Sequence, residues 1–300
     1  MLNTKTYTLI SFVNTKNFSK TAEELHMTQP NVTYQIKALE KEYGIHIYSK
    51  DRRNITITKQ GELLAKYAQR LVEQDKQAQL AVKNYDKGTS SIVVGITPTA
   101  EETMVPHIFA KYAQLNPDVH IKIVSHNIRH IYSYIKNFSI DLGLIEGQIN
   151  NSKLESLMLD TDFLVLAVSP KNALAKKRSV TLAELKQQNL ILRLTHSGTR
   201  QLFESSLLAN NETIDNFKVT MEIDNINTIK ELVSNDYGAT VIANSSCVDE
   251  ANHGKLILIP IEKMSMVREI NLVYRKDFSN LKLLTDIQQI YKNSKYFSKL

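Results

Sequence analysis

A single cysteine, Cys247, occurs in the 300 residues. An internal disulfide is therefore excluded, and so is a zinc site built on clustered thiolates. Cys247 reads as a small buried residue. Long hydrophobic runs are missing too: Phe163 to Val168 and Leu256 to Ile261 fall far short of the roughly 20 apolar residues that span a bilayer. The N-terminus, MLNTKTYTLISF, is broken by Asn3, Thr4, Lys5 and Thr6 before an apolar core could act as a secretory leader. A cytoplasmic protein without membrane partners is expected. Catalytic signatures are scarce as well. The eight histidines are scattered without metal-ligand spacing, and neither a G-x-x-x-x-G-K-[ST] phosphate loop nor a G-x-S-x-G elbow is present. His196 adjoins Ser197, but sequence neighbours do not face one another by default. No enzyme, metal or cofactor is expected.

What is present describes a soluble globular chain, 42% hydrophobic and 23% charged, long enough for two domains. The net charge of +6 is unevenly spread. Residues 1–88 hold 14 Lys+Arg against 9 Asp+Glu, an excess of +5, which leaves only +1 for residues 89–300. A basic nucleic-acid module joined to a near-neutral domain fits that asymmetry.

From Asn3 to Leu63 the apolar spacing predicts three short helices, with stripes at Leu9, Phe12 and Val13, at Ala22 and Leu25, and at Val32, Ile36 and Leu39. His26 and Met27 alone separate Leu25 from Thr28, a candidate N-cap, so the second and third helices form a tight helix-turn-helix. Pro30 suits the first turn, and Gly44 closes the third helix. Ile45, Ile47, Ile55 and Ile57 flank the polar stretch Ser49 to Asn54 and predict a two-stranded wing with a basic tip. After Thr58, another N-cap candidate, one long helix runs to Lys87. Its heptad-like stripe of Leu64, Tyr67, Leu71, Ala78, Ala81 and Tyr85, with Gln74 as the polar exception, predicts pairing with a second copy, the alternative being packing on its own domain.

Gly88 to Ser91 reads as a linker, and beyond it strands alternate with helices. Strands are expected at Ile92–Ile96, His120–Val124, Asp141–Ile145, Phe163–Ser169, Leu190–Leu194, Ala239–Ala243, Leu256–Ile261 and Glu269–Tyr274. Thr181 to Glu184 is a capping box, and Ile226 to Val233 is helical. The class is α/β with largely parallel sheets.

On the third helix the apolar stripe leaves Gln29, Pro30, Asn31, Thr33, Tyr34 and Lys37 outward. Gln and Asn can pair with adenine edges, Thr can touch a thymine methyl or a phosphate, and Lys neutralises phosphate. Lys50, Arg52 and Arg53 on the wing are candidate backbone or minor-groove anchors. Residues 2–62 resemble the winged helix-turn-helix of LysR-type transcriptional regulators at Phe12, Phe18, Ala22, Leu25, Gln29, Pro30, Ile36, Leu39, Glu40, Gly44, Arg53, Thr58 and Gly61. Tyr34 and Lys50 depart from the family's usual choices. The resemblance continues through nearly the whole chain. It implies a domain of residues 1–58 that binds double-stranded promoter DNA, a linker helix at 59–88, and an effector-binding domain at 89–300. It also implies a homodimer or homotetramer and RNA polymerase as a further partner.

In that family the second part resembles type II periplasmic binding proteins, with two subdomains placed here at about 91–161 plus 268–300 and about 162–267. Two loops before helices are candidate cleft walls, Gly95 to Thr99 and Arg193 to Arg200, because helix N-termini favour anions. The second loop resembles the R-E-x-G-S-G-T-R segment of the branch that regulates sulfur assimilation and carbon fixation, matching at Arg193, Ser197, Gly198, Thr199 and Arg200 and departing at Leu194 and His196. Asp141 to Gly147 resembles that branch too. The candidate effector residues are Thr97, Thr99, Glu146, Ser197, Gly198 and Thr199, for a small anionic metabolite. The competing reading is a cytoplasmic small-molecule binding protein without gene regulation, which has no need of the basic wing.

Overall fold

The computed structural model describes residues 2–51, 54–85, 90–149 and 151–297. They form two compact units, residues 1–90 with 137–139, and residues 91–136 with 140–300.

In the first unit α1 (Thr4–Thr15), α2 (Phe18–Glu24) and α3 (Gln29–Tyr43) precede a hairpin of β1 (Tyr48–Asp51) and β2 (Asn54–Ile57), then α4 (Lys59–Tyr85). The junctions have local causes. The Asn3 and Asn17 side chains accept backbone N–H groups at the starts of α1 and α2, caps worth about 1 kcal/mol each. Thr28 occupies the N-cap of α3 without a side-chain bond, and Pro30 in the first turn supplies the fixed φ. Gly44 ends α3 at φ +65°, a left-handed conformation that glycine enters without strain. Thr58 Oγ1 accepts the Gly61 N–H at 2.9 Å and caps α4.

Leu9, Phe12, Val32, Ile36, Leu39 and Ile47 share one core. The Phe12, Phe18 and Tyr48 rings close it, with centroids 4.4 to 5.5 Å apart. The long helix packs on its own domain over part of its length. Its first half lies on this core through Ala65 and Ala68, packed on α1. Gly61 permits that approach, since a Cβ there would run into the Ile47 carbonyl. Of the expected stripe, Leu64 packs partly buried on this core, while Tyr67 and Leu71, with their neighbour Leu63, turn outward, each of these three more than half exposed; the inward face is made by Ala65, Ala68 and Val72, which the stripe did not include. The Ala81 and Tyr85 side chains lie outside the described ones.

The second unit holds β3 (Ser90–Ile96), α5 (Pro98–Glu101), α6 (Val105–Leu115), β4 (Val119–Ser125), α7 (Ile128–Lys136), β5 (Leu142–Glu146), β6 (Leu154–Val168), α8 (Leu182–Lys186) and β7 (Leu190–Arg193). There follow α9 (Gly198–Ala209), β8 (Val219–Ile223), α10 (Ile226–Ser234), β9 (Thr240–Ala243), α11 (Val248–Asn252), β10 (Ile257–Ile259), β11 (Val267–Arg275) and α12 (Leu281–Phe297). Ser90 and Ser91, expected in a linker, already belong to β3, and Gly88 and Thr89 fall outside the described residues.

The main strand order is β10-β6-β11-β5-β3-β4, with β9 also on β6, and β7 pairs with β8 separately. β3 with β5 and β7 with β8 are parallel. β6 and β11 are antiparallel to each other, β11 to β5, and β6 to β9 and β10. The sheets are therefore mixed, which corrects the expectation of largely parallel ones. The cause is β6, which begins at Leu154 rather than Phe163 and runs for 15 residues. Its first half pairs with β11 and its second half with β9 and β10. Together β6 and β11 tie one core, around Val94, Phe109, Leu144, Leu272 and Ile287, to another around Leu166, Leu190, Phe203 and Val241. β8 was not foreseen either, although Val219, Thr220, Met221, Glu222 and Ile223 alternate apolar with polar; in the structure Thr220, Met221 and Glu222 are all exposed and β7 is its partner. The Thr181–Glu184 capping box is present.

Candidate nucleic-acid interface and effector cleft

On α3, Val32, Ile36 and Leu39 are buried and Gln29, Pro30, Asn31, Tyr34 and Lys37 are exposed, with Thr33 half-buried. The apolar stripe thus turns the polar face outward. That face is partly ordered from within. Gln35, buried, is held by the Thr8 hydroxyl at 2.7 Å and itself donates to Asn31 Oδ1 at 3.2 Å, fixing the Asn31 amide. Gln29 Nε2 donates to Thr33 Oγ1, whose own proton goes to the Gln29 carbonyl. Tyr34, 71% exposed, stands out as an aromatic surface in the middle of the face. Glu40 Oε1 accepts the Ile47 N–H at 2.7 Å and ties the end of α3 to the wing. Lys50 pairs with Ile55 across the hairpin and is exposed. Arg52 and Arg53 lie outside the described residues.

In the second unit, Thr97 follows β3 and caps α5 by accepting the Ala100 N–H. Its hydroxyl proton is spent on Glu146, whose carboxylate oxygens lie at 2.7 and 2.8 Å. Thr99 is buried beside it within α5. On the other side Ser197 caps α9, accepting the Arg200 N–H, and Gly198 and Thr199 open the helix. Thr199 Oγ1 accepts from Arg268 Nη1 at 3.3 Å, so its own proton is directed elsewhere. Gly198 lies near the start of α7: a Cβ on it would stand 3.7 Å from Ile128 Cδ1.

Register places these groups together. Glu146 pairs with Ile270 across β5 and β11, and Arg268 lies two residues earlier on β11, hence on the same face. Glu146 and Arg268 are diagonal neighbours, about 7–8 Å apart between Cα atoms.

Sequence reasoning missed the charged framework. Arg268 is buried against Asp162 at 3.0 Å, where β6 and β11 cross between the cores, and Asp162 also accepts the Ser245 N–H. Glu102, from the turn after α5, accepts from Asn227 and Lys230 of α10 at 2.8 and 3.2 Å. Lys230 also pairs with Glu250 at 2.8 Å. Burial works against the Lys230 charge, but the Glu250 and Glu102 carboxylates outweigh it and hold its pKa above the ordinary value. Each of these pairs joins residues far apart in sequence, so no local spacing announces it. Arg193 and Arg200 brace the loop: Arg200 is paired with Glu204 and Glu222 and reaches the Arg193 carbonyl, and Arg193 pairs with Asp224. His196 is exposed while Ser197 is a buried cap, so they do not form a nucleophile and base.

Among the described residues no helix is long and apolar enough to cross a membrane. Cys247 is buried, which pushes its thiol pKa up to about 12.

Comparison with known proteins matches residues 5–62 to the bacterial regulatory helix-turn-helix protein, lysR family, and residues 86–290 to the LysR substrate binding domain. The chain is 27% identical over 278 residues to the HTH-type transcriptional regulator CysL of Bacillus subtilis (strain 168), covering 92% of this chain and 91% of that one. It is 29% identical over 263 residues to a probable RuBisCO transcriptional regulator of Cyanophora paradoxa, covering 86% and 81%. Among solved structures, full-length CbnR complexed with its target DNA superimposes with a TM-score of 0.69 at 16% identity, covering 98% of this chain and 100% of that chain. The winged helix-turn-helix and the two-core α/β unit, matched in chain order at residues 5–62 and 86–290, place this protein in the LysR family of DNA-binding transcription regulators, not among enzymes.

Proposed function

We propose that this regulator reads promoter DNA through α3 and switches in response to a small anionic metabolite held in the cleft of its second unit. Gln29, Asn31 and Thr33 contact base edges, Pro30, Tyr34 and Lys37 set the helix against the groove, and Lys50, Arg52 and Arg53 hold the DNA backbone. Residues 1–58 carry this role and 59–88 carry pairing between copies. Residues 89–300 carry effector binding, with subdomains at about 91–161 plus 268–300 and about 162–267. Thr97, Thr99 and Glu146 line one cleft wall, and Ser197, Gly198 and Thr199 line the other. The working assembly is a cytoplasmic homotetramer, a dimer of dimers, that also meets RNA polymerase.

The observation that carries this reading is the polar face of α3, exposed on a buried apolar stripe and stiffened by the Thr8–Gln35–Asn31 chain of hydrogen bonds. A cytoplasmic binding protein without gene regulation would have no use for it. Competition gel shifts on the promoter upstream of the protein's own gene and on scrambled duplexes test it. Gln29→Ala loses about 1–3 kcal/mol at the cognate site and relaxes sequence preference. Lys50→Ala weakens all duplexes alike and lowers the salt slope by about one. Parent-like binding by both variants rejects the proposed face.

A further inference from the structure

Glu146 is the least compensated charge in the cleft. The residue is 9% exposed, and its carboxylate receives one proton, from the Thr97 hydroxyl, with no cation paired to it among the described residues. A buried carboxylate left with a single neutral donor carries a desolvation cost that one hydroxyl does not offset. Arg268, its diagonal neighbour, does not neutralise it, because Arg268 Nη2 is committed to Asp162 at 3.0 Å. The opposite polarity prevails at the other end of the site. Arg268 donates to Thr199 Oγ1, which fills an acceptor position and leaves the Thr199 proton to be given away. Arg268 Nε is buried without a partner, and the first N–H groups of the 12-residue helix α9 open beside it.

Resting on the cleft reading above and narrowing its anionic metabolite to one that also carries a cationic group, we infer that the effector is an amino-acid-like zwitterion, its ammonium group on Glu146 and its anionic group on Thr199 and the start of α9. A hydroxyl in place of the ammonium would satisfy an oxygen lone pair but leave the carboxylate charge uncompensated. An ammonium does both. A purely anionic effector would bring a second negative charge into the cleft that holds the buried Glu146 carboxylate.

Four probes built on the same two-carbon unit test this on the full chain by calorimetry: L-alanine, L-lactate, propionate and ethylammonium. The parent is expected to prefer L-alanine over propionate by about tenfold or more, with L-lactate between. Glu146→Gln, checked for native fold by circular dichroism, removes the charge at nearly constant volume. It is expected to erase the preference for L-alanine while binding propionate at least as well as the parent does. Thr199→Ala is expected to weaken all three acids and leave ethylammonium unchanged. Propionate bound by the parent as tightly as L-alanine, or a preference that survives in Glu146→Gln, overturns the zwitterion while leaving the cleft intact as an acid site. Acids bound equally by the parent and Thr199→Ala, or no acid bound at all, reject the cleft reading itself.

Discussion

Arg268 Nη2 lies 3.0 Å from Asp162 Oδ2, and both side chains are buried where β11 and β6 carry the chain from one core to the other. The two residues are also register partners across those strands. Because Asp162 accepts from the Ser245 N–H and Arg268 donates to Thr199, the pair links the crossing strands to both the Asn244–Cys247 turn and the start of α9.

Removing one partner leaves the other as an uncompensated buried charge. Arg268→Ala should therefore destabilise the effector unit by about 3–5 kcal/mol, whereas Arg268→Met combined with Asp162→Leu should recover most of that loss. Urea unfolding of the full chain measures both. Equal losses for the single and double variants would mean that packing, not charge, holds the crossing point.

The Lys230 cluster predicts a pH dependence with a definite sign. Its folded pKa is raised above the ordinary 10.5, so the stability it contributes is complete below that value and is lost as pH rises through the higher folded value. Lys230→Met should cost about 1–3 kcal/mol at neutral pH, since Glu102 and Glu250 each lose a charged donor. The gap between parent and variant should narrow steadily above pH 10.5. A gap that widens there would contradict the assignment.

Cys247 should be inert in the native protein. Burial pushes its thiol to about 12, from an ordinary 9.0, so almost no thiolate exists at pH 8. A chromogenic disulfide reagent is expected to leave the folded chain unlabelled and to titrate one thiol after denaturation. Rapid native labelling would place Cys247 in an environment other than the one described.

The outward row of Leu63, Tyr67 and Leu71 on α4 is the apolar surface that pairing between copies would cover. Leu71→Glu is expected to lower the oligomer order in light scattering without unfolding α1 to α3, whose core it does not enter. Leu71→Met should leave the assembly unchanged.

The amino-acid sequence by itself determined the parts of this protein that depend on near neighbours. The α3 stripe at Val32, Ile36 and Leu39 fixed which side chains face outward, because burial of a 3.6-residue period leaves no other choice. The Gly44 stop, the Thr58 start and the Thr181–Glu184 box were legible for the same reason: a helix end is satisfied within a turn of itself. The β3, β5 and β9 strands were legible because they are short, apolar and central. What the tertiary structure alone decided is every feature made by distant residues. The inward face of α4 depends on α1 lying beneath it, so Ala65 and Ala68 outrank the larger Tyr67 and Leu71 for burial. The first half of β6 carries Glu155, Ser156, Asp160 and Thr161 among its apolar residues, and its partner β11 makes it a strand. Thr97 and Ser197 were visible as members of loops before helices. That the Thr97 proton belongs to Glu146, 49 positions away, and that Arg268 supports Thr199 across 69, follows from strand register and from nothing local. Hydrogen bonds of that reach are set by which elements pack, and packing is a property of the whole chain.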